Sequence, residues 1–383
     1  MFTYNQLAPV VFGNGAVSVV GEKTKELGCK KVICVYDAGV KAAGVMDKVI
    51  PSLEAAGIEY VLFGDIQSDP ACEIVDAAGA LACAEKVDGV IGIGGGSSMD
   101  AAKAVALLLD NPAPIAQYLT LPPTEMKSRV PIVLIPTTSG TGSEVTHCGV
   151  YSDTVRNLKL SIFVHGHMAI VDPELTLTVP PYVTAYTGID AFTHAVESIT
   201  ALKWNPQAQL LASAAISKIC KYLPVAVKDG SNLEARYELS LASNWAGIAF
   251  TQTDVHFGHG LADGISCRFH TPHGTNCGWA CPELMKFIAP NAADQVKMVG
   301  EAMGLSFCGC ESAEEIGEKT AEAIRNLMRS IGIESPAERG FTREEMLECT
   351  EVGFASGLRF NCPTPVTEEN TRELYGKIWD NYQ

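Results

Sequence analysis

The sequence predicts an α/β domain built on a parallel sheet, followed by an all-α domain, and three observations predict it. At 383 residues the chain is long for one hydrophobic core, and ordinary domain sizes make two domains the natural starting point. Up to Val171, short β-branched runs alternate with Ala-rich amphipathic stretches, which is the βαβ rhythm of a parallel sheet. After Val171, Asp172 and Pro173 the strand signals fade, and beyond Pro180 and Pro181 only helical patterns continue. The expected domains are therefore residues 1–180 and 181–383. With 47% hydrophobic residues the chain can bury both cores.

Each element follows from its local pattern. Lys31 to Tyr36 (KVICVY), Tyr60 to Phe63, Gly89 to Ile93 (GVIGI) and Val130 to Ile135 (VPIVLI) are short apolar runs of the kind that form strands buried on both faces. After Asp172 and Pro173, the pair Pro180 and Pro181 marks a hinge. Asn205 with Pro206 predicts a helix cap followed by proline at the first helical position. Thr342 with Glu345 fits a capping box, and Val366 to Trp379 reads as a closing helix. No internal repeat or low-complexity segment is evident.

A formal net charge of −16 and the lack of any long Lys/Arg run argue against a nucleic-acid partner, because phosphate binding needs clustered cations. The stretch from Met1 to Val20 does not have the basic-then-apolar pattern of a leader, and runs such as Ala104 to Leu109 are too short to span a bilayer. A soluble cytoplasmic protein without a membrane partner is expected. Thirteen scattered cysteines with no CxxC pair indicate neither a disulfide framework nor a thiolate zinc site. Most are expected to be small buried apolar residues.

Two loops carry a binding signal. The strand Gly89 to Ile93 runs into Gly94, Gly95, Gly96, Ser97 and Ser98, and Met99 to Leu109 then has helical composition. Glycines at a helix start let backbone N–H groups approach a pyrophosphate, and the helix dipole favours the anion. The spacing is neither GxGxxG nor a P-loop, so the expected domain is a Rossmann-like variant. The second loop, Pro136 to Glu144 (PTTSGTGSE), follows the next strand and is dense in hydroxyls and glycine. Both would open at the carboxyl edge of the sheet, where ligands of open α/β folds bind. Asp37, just past Lys31 to Tyr36, would accept from an adenosine ribose and repel a 2′-phosphate, favouring NAD over NADP.

The second half carries a candidate metal site. Asp190 and His194 stand four apart on a helical pattern and share one face, flanked by apolar Ile189, Phe192, Ala195 and Val196. An unpaired carboxylate there would be costly, and a cation would remove the cost. Four of the eight histidines, His256, His259, His270 and His273, fall within one short segment. A lone buried histidine is more often a hydrogen-bonded core residue; this crowding argues otherwise. One carboxylate with three imidazoles, Asp190, His194, His259 and His273, suits Fe²⁺, Zn²⁺, Ni²⁺ or Mn²⁺ and is poor for Ca²⁺.

Along essentially its whole length the chain resembles the iron-containing, metal-dependent group III alcohol dehydrogenases, in the motifs GGGSSMDAAK, PTTSGTGSE, DPELT, TGIDAFTHAVES and TPHG. The resemblance implies a dehydroquinate synthase-like architecture: an amino-terminal dinucleotide-binding domain, a helical metal-binding domain, and an active site in the cleft between them. It implies Asp190, His194, His259 and His273 as ligands of one divalent metal, Fe²⁺ first and Zn²⁺ second. Gly95, Gly96, Ser97 and Asp100 match the family's pyrophosphate loop. Thr137, Thr138, Thr141, Ser143, Thr146 and Lys159 match its nucleotide contacts, and Asp37 the residue linked to NAD preference. Cys148, Phe250, Asp263, Leu358 and Arg359 fall where the family builds its substrate pocket.

Three departures stand out. Asp263 occupies the position where many members carry a second histidine, so either Asp263 relays the proton or the exit runs elsewhere, through His270. The loop between Lys159 and Asp172 is shorter than usual and contains His165 and His167. The family's closing TNPRP reads Asn361, Cys362, Pro363, Thr364, Pro365, preceded by Arg359. The expected activity is NAD(H)-linked interconversion of a small primary alcohol and its aldehyde by a homo-oligomer of at least two chains. Arg359, Arg268 or His270 would instead suit a short acidic aldehyde such as a semialdehyde or sulfo-aldehyde. A dehydroquinate synthase-like lyase is the reading from another enzyme class.

Overall fold

The computed structural model describes residues 2–68, 70–119, 126, 129–153 and 158–382. The chain divides into two compact units, one of residues 6–179 and one of residues 180–383 with the first few residues of the chain.

The first unit is α/β. Its strands are β1 (Val10–Phe12), β2 (Lys31–Asp37), β3 (Glu59–Ile66), β4 (Gly89–Gly94), β5 (Ile132–Pro136), β6 (Cys148–Asp153), β7 (Leu158–Phe163) and β8 (Met168–Val171). Its helices are α1 (Val20–Glu26), α2 (Ala38–Ala42), α3 (Met46–Ala56), α4 (Cys72–Ala84) and α5 (Gly96–Asp110). Six strands form one parallel sheet in the order β1-β8-β5-β4-β2-β3, and β6 and β7 form a separate antiparallel pair.

The four runs expected as strands are β2, β3, β4 and β5. Every residue of β4 and β5 is buried, because helices cover both faces of a parallel sheet. The period-two alternation is visible in the packing. Ile33, Val35 and Val90 face a core that includes Val75 and Ala78 of α4 and Met99 and Ala102 of α5. Val32, Cys34, Ile91 and Ile93 face the opposite core with Val20, Val49 and Leu53.

Asp172, the first residue of the DPELT motif, clasps the chain behind β1. Its carboxylate accepts from the backbone N–H groups of Gly15, Val17 and Glu174 at 3.0–3.1 Å.

The second unit contains α6 (Pro181–Thr200), α7 (Pro206–Lys228), α8 (Leu233–Thr253), α9 (Phe257–Phe269), α10 (His273–Ala302), α11 (Ala313–Ser330), α12 (Arg343–Glu348), α13 (Thr350–Ala355) and α14 (Glu368–Asn381). The proline pair expected as a hinge starts α6, with Pro180 at the cap and Pro181 as its first residue. Asn205 caps α7 by accepting from Gln207 and Ala208 N–H, and Thr342 with Glu345 forms a reciprocal capping box on α12.

By length and composition α7 could cross a membrane. Its stripe of Ala208, Ala212, Ala215, Ile216, Ile219 and Leu223 is instead fully buried in the helical core. Near the amino terminus, Phe2 to Asn5 pack on this unit: Asn5 N–H donates to Gln252, and Asn205 donates to the Thr3 carbonyl.

Candidate metal centre and nucleotide-binding loops

Three helices bring the four predicted ligands together. On α6, Asp190 and His194 lie one turn apart, with His194 Nε2 3.9 Å from Asp190 Oδ1. At the start of α10, His273 Nε2 is also 3.9 Å from Asp190 Oδ1. His259 of α9 stacks on His194 with ring centroids 4.8 Å apart and sits 5.5 Å from the His273 ring.

A glycine makes the convergence possible. A Cβ at Gly274 would stand 1.9 Å from the Tyr186 carbonyl oxygen and 2.8 Å from Asp190 Cβ. Only hydrogen at this position lets α10 abut α6 and carry His273 to Asp190.

The donor set fits a divalent cation. Asp190 Oδ1 and His259 Nε2 are buried and have no hydrogen-bond partner among the described residues, a costly state for polar atoms that an ion would relieve at both. Burial lifts the Asp190 carboxyl above its usual range, against the pull of His273 and His259. Burial also opposes a charge on His259, but Cys277 and Glu197 outweigh it and hold the ring well above the ordinary histidine value. The side chain of His273 is 38% exposed, against 5% for Asp190, so His273 marks the open side of the centre.

Glu197 is a functional residue that the sequence reading passed over. Its Oε1 accepts a hydrogen bond from His259 Nδ1–H at 2.6 Å, and its Oε2 accepts from the His256 backbone N–H at 2.5 Å. Burial would raise this carboxyl, but the charges of His259 and His256 and these two hydrogen bonds bring it down to about 2. Glu197 thus holds the His259 ring with Nδ1 on its carboxylate and Nε2 turned toward the centre, the usual arrangement behind a metal-binding histidine. His256 stands behind, its Nε2 2.8 Å from Thr200 Oγ1. The signal was available: Glu197 lies seven residues after Asp190, on the same helix face.

The cysteine pattern predicts no thiolate zinc site, and the structure places one thiol beside these donors. One donor atom each from Asp190, His259, His273 and Cys277 lie within 4.8 Å of one another, with Cys277 Sγ 3.5 Å from His273 Nε2. None of the thirteen cysteines forms a disulfide, and seven are buried.

The predicted pocket and relay residues of the helical unit lie on α8, on α9 and in the turn after α13. Phe250 stacks on the His194 ring at 4.4 Å. Asp263 is half-buried one turn beyond His259 and accepts from Ser356 at 3.5 Å. His270 ends α9 in the left-handed conformation, exposed, and its ring makes no hydrogen bond or ion pair among the described residues. Leu358 is half-buried in the short turn Gly357–Asn361.

The two arginines considered for an acidic substrate are engaged elsewhere. Arg359 donates to the carbonyls of Phe354 and Ser356, with its guanidinium 4.6 Å from the Phe354 ring centroid and 4.4 Å from that of Phe360. Arg268 is paired with Glu345 and Glu348. Asn361 ties the Thr253 and Val255 carbonyls just ahead of His256.

In the α/β unit the two expected loops lie side by side. β4 and β5 are neighbours, and Thr137 N–H donates to the Gly94 carbonyl at 2.9 Å. Gly94 has φ +146°, and a Cβ there would meet Ser98 and Asp37 Oδ2 under 3.0 Å, so glycine is required at this turn. Gly95 caps α5, and Gly95, Gly96 and Ser97 stay partly exposed at its first turn. Thr138 and Thr141 are half-buried beside them, near Gly95 and Gly96 respectively. Asp37 caps α2 through Val40 N–H and accepts from Ser98 Oγ at 2.8 Å.

Three predicted contacts are committed to holding the second loop. Buried Lys103 donates to Ser143 Oγ, Thr146 Oγ1 and the Cys148 carbonyl at 2.6–3.1 Å. Asp100 accepts from Ser143 Oγ and Val150 N–H. Lys103 is a second residue missed from sequence, hidden as a lone cation in an Ala-rich helix. Lys159 lies on β7 opposite Ser152, and its side chain falls outside the described residues.

Comparison with known proteins agrees with this arrangement. Residues 8–173 match the model for "Iron-containing alcohol dehydrogenase", and residues 184–379 the model for "Fe-containing alcohol dehydrogenase family, C-terminal". The chain is 34% identical to long-chain-alcohol dehydrogenase 1 of Geobacillus thermodenitrificans, over 95% of this chain and 93% of that one. The crystal structure of a 1,3-propanediol oxidoreductase superposes with a TM-score of 0.93 at 31% identity, covering 99% of this chain and all of the other. A sulfoacetaldehyde reductase from Bifidobacterium kashiwanohense in complex with NAD⁺ superposes with a TM-score of 0.90 at 27% identity, covering 100% and 99%. The chain belongs to the iron-containing alcohol dehydrogenase family and is an NAD(H)-linked oxidoreductase of the alcohol dehydrogenase or aldehyde reductase type that uses one divalent metal.

Proposed function

We propose that this enzyme interconverts a small primary alcohol and its aldehyde, with the metal held by Asp190, His194, His259 and His273. The observation that carries the reading is the convergence of these four side chains around two buried atoms, Asp190 Oδ1 and His259 Nε2, that lack hydrogen-bond partners among the described residues. A divalent ion held there would supply Lewis-acid polarisation of a substrate oxygen, and a bound nicotinamide would supply the hydride chemistry. The protein's part is placement. Glu197 orients His259, and Phe250 lays an apolar face over His194 that keeps water from that side. Asp263 lies four residues and His270 eleven residues after His259, close to one face of α9; this supports proton exit through Asp263 with His270 at its solvent end.

In the α/β unit, the backbone of Gly95, Gly96 and Ser97 at the α5 start suits a pyrophosphate, with Thr137, Thr138 and Thr141 alongside. Asp100, Ser143 and Thr146 hold that loop in shape through Lys103, and Asp37 disfavours a 2′-phosphate. The geometry supports a neutral substrate over an acidic one, since Arg268 and Arg359 are already engaged and His270 is exposed. A cytoplasmic location and a homo-oligomer of at least two chains belong to the same reading.

The test is His194→Ala, assayed with NAD(H) and NADP(H) on a panel of neutral and acidic aldehydes. Metal content and turnover are expected to fall together, with NADH preferred by the parent enzyme. A metal-free variant with normal turnover would overturn the mechanism, and equal rates on acidic and neutral aldehydes would overturn the substrate preference.

A further inference from the structure

We propose that Cys277 is a direct ligand of the divalent ion, which gives this chain a carboxylate, imidazole and thiolate donor set that selects zinc over manganese. The inference rests on the metal centre of the proposed function and adds a donor that the Asp–His–His–His set does not include.

The geometry is that of a coordination sphere. Zinc bonds of about 2.0–2.2 Å to nitrogen and oxygen and about 2.3 Å to sulfur place adjacent donors of a four- or five-ligand sphere roughly 3–4 Å apart. Cys277 Sγ stands 3.5 Å from His273 Nε2, and His273 Nε2 stands 3.9 Å from Asp190 Oδ1. These atoms and a His259 ring nitrogen lie within 4.8 Å of one another. The second observation is independent of the thiol: Asp190 Oδ1, on a residue 4% exposed, lacks a hydrogen-bond partner among the described residues. Cys277 itself is 1% exposed and rides one helical turn beyond His273 on α10, the spacing that pairs Asp190 with His194 on α6.

The chemistry follows from softness. A thiol that coordinates a divalent ion gives up its proton and binds as thiolate. Thiolate donors favour zinc and cobalt, whereas sites made of carboxylate and water suit manganese. The proton leaves to solvent or buffer on metal loading, no electron moves, and the sulfur stays at the thiol oxidation level.

The test uses the full-length protein loaded with Co²⁺ as a spectroscopic stand-in for zinc. The parent and Cys281→Ala, which removes a neighbouring buried thiol of α10, are expected to show a sulfur-to-cobalt charge-transfer band in the near ultraviolet at one cobalt per chain. Cys277→Ser is expected to lose that band while keeping the visible ligand-field bands. Its zinc affinity should fall by at least the roughly 10-fold that loss of an outer partner costs, with manganese affinity changed much less. One bound cobalt with ligand-field bands but no charge-transfer band in the parent would overturn the thiolate assignment and leave the Asp190, His194, His259 and His273 site standing. Absence of any stoichiometric metal binding would overturn both.

Discussion

Glu197 shows how one side chain can govern a centre without touching the reacting atoms. Its carboxylate holds the His259 Nδ1 proton and the His256 backbone N–H at once. Glu197→Gln keeps the shape and can still accept one hydrogen bond, but it removes the charge that holds His259 Nδ1–H. Metal affinity is expected to drop by about 10- to 100-fold, the usual cost of disturbing such a partner, with the circular dichroism spectrum unchanged. Titration against a competing chelator checks this, and unaltered affinity would mean that Glu197 only fills space. At this scale, spacing and residue type together placed Asp190 and His194 on one helix face, where the structure has them 3.9 Å apart. Glu197 and Cys277 obey the same helical spacing, but a glutamate on a helix and a lone cysteine are common without any ligand role. Their meaning emerges only when α9 and α10 bring His259 and His273 beside them.

Among elements, the approach of α10 to α6 is set by Gly274. A methyl group there would meet the Tyr186 carbonyl, a backbone atom that cannot swing aside. Gly274→Ala should therefore push α10 outward at the turn that carries His273, costing about 1–3 kcal/mol of stability as overpacking does. It should also weaken metal binding, because His273 moves away from Asp190. Denaturant unfolding of the metal-free protein and a separate metal titration read the two effects apart.

The strands were legible to the degree that they are buried on both faces. β2, β4 and β5 are dense apolar runs that little else can satisfy. β1 and β8, at three and four residues, are too short to outweigh their neighbours as a pattern. The β6 and β7 hairpin carries Cys148, Gly149, Ser152 and Asp153 on one strand and Lys159 and Ser161 on the other, which breaks the apolar signal.

For the molecule as a whole, the separation of the two ligand systems has a measurable consequence. The helical unit has its own core, built from residues of α6 to α14, and contains every proposed metal ligand. The α/β unit has two cores, one on each face of its sheet, and carries the loops at Gly94 to Ser97 and Pro136 to Thr146. A ligand that binds only the folded form stabilises what it binds, by about 2.7 kcal/mol at a free concentration roughly 100 times its Kd.

Amide hydrogen exchange resolves where that stabilisation falls, because protection reports local and sub-global opening. Adding zinc or iron(II) should slow exchange chiefly in α6, α9 and α10. Adding NAD⁺ should slow it chiefly at the start of α5 and in the loop after β5. His194→Ala should abolish the first pattern and leave the second. If the metal instead protected both units equally in His194→Ala and in the parent, the ion would be binding somewhere other than the four-residue centre. Loss of the NAD⁺ pattern together with the metal pattern would show that His194 supports the fold of the whole chain rather than one site within it.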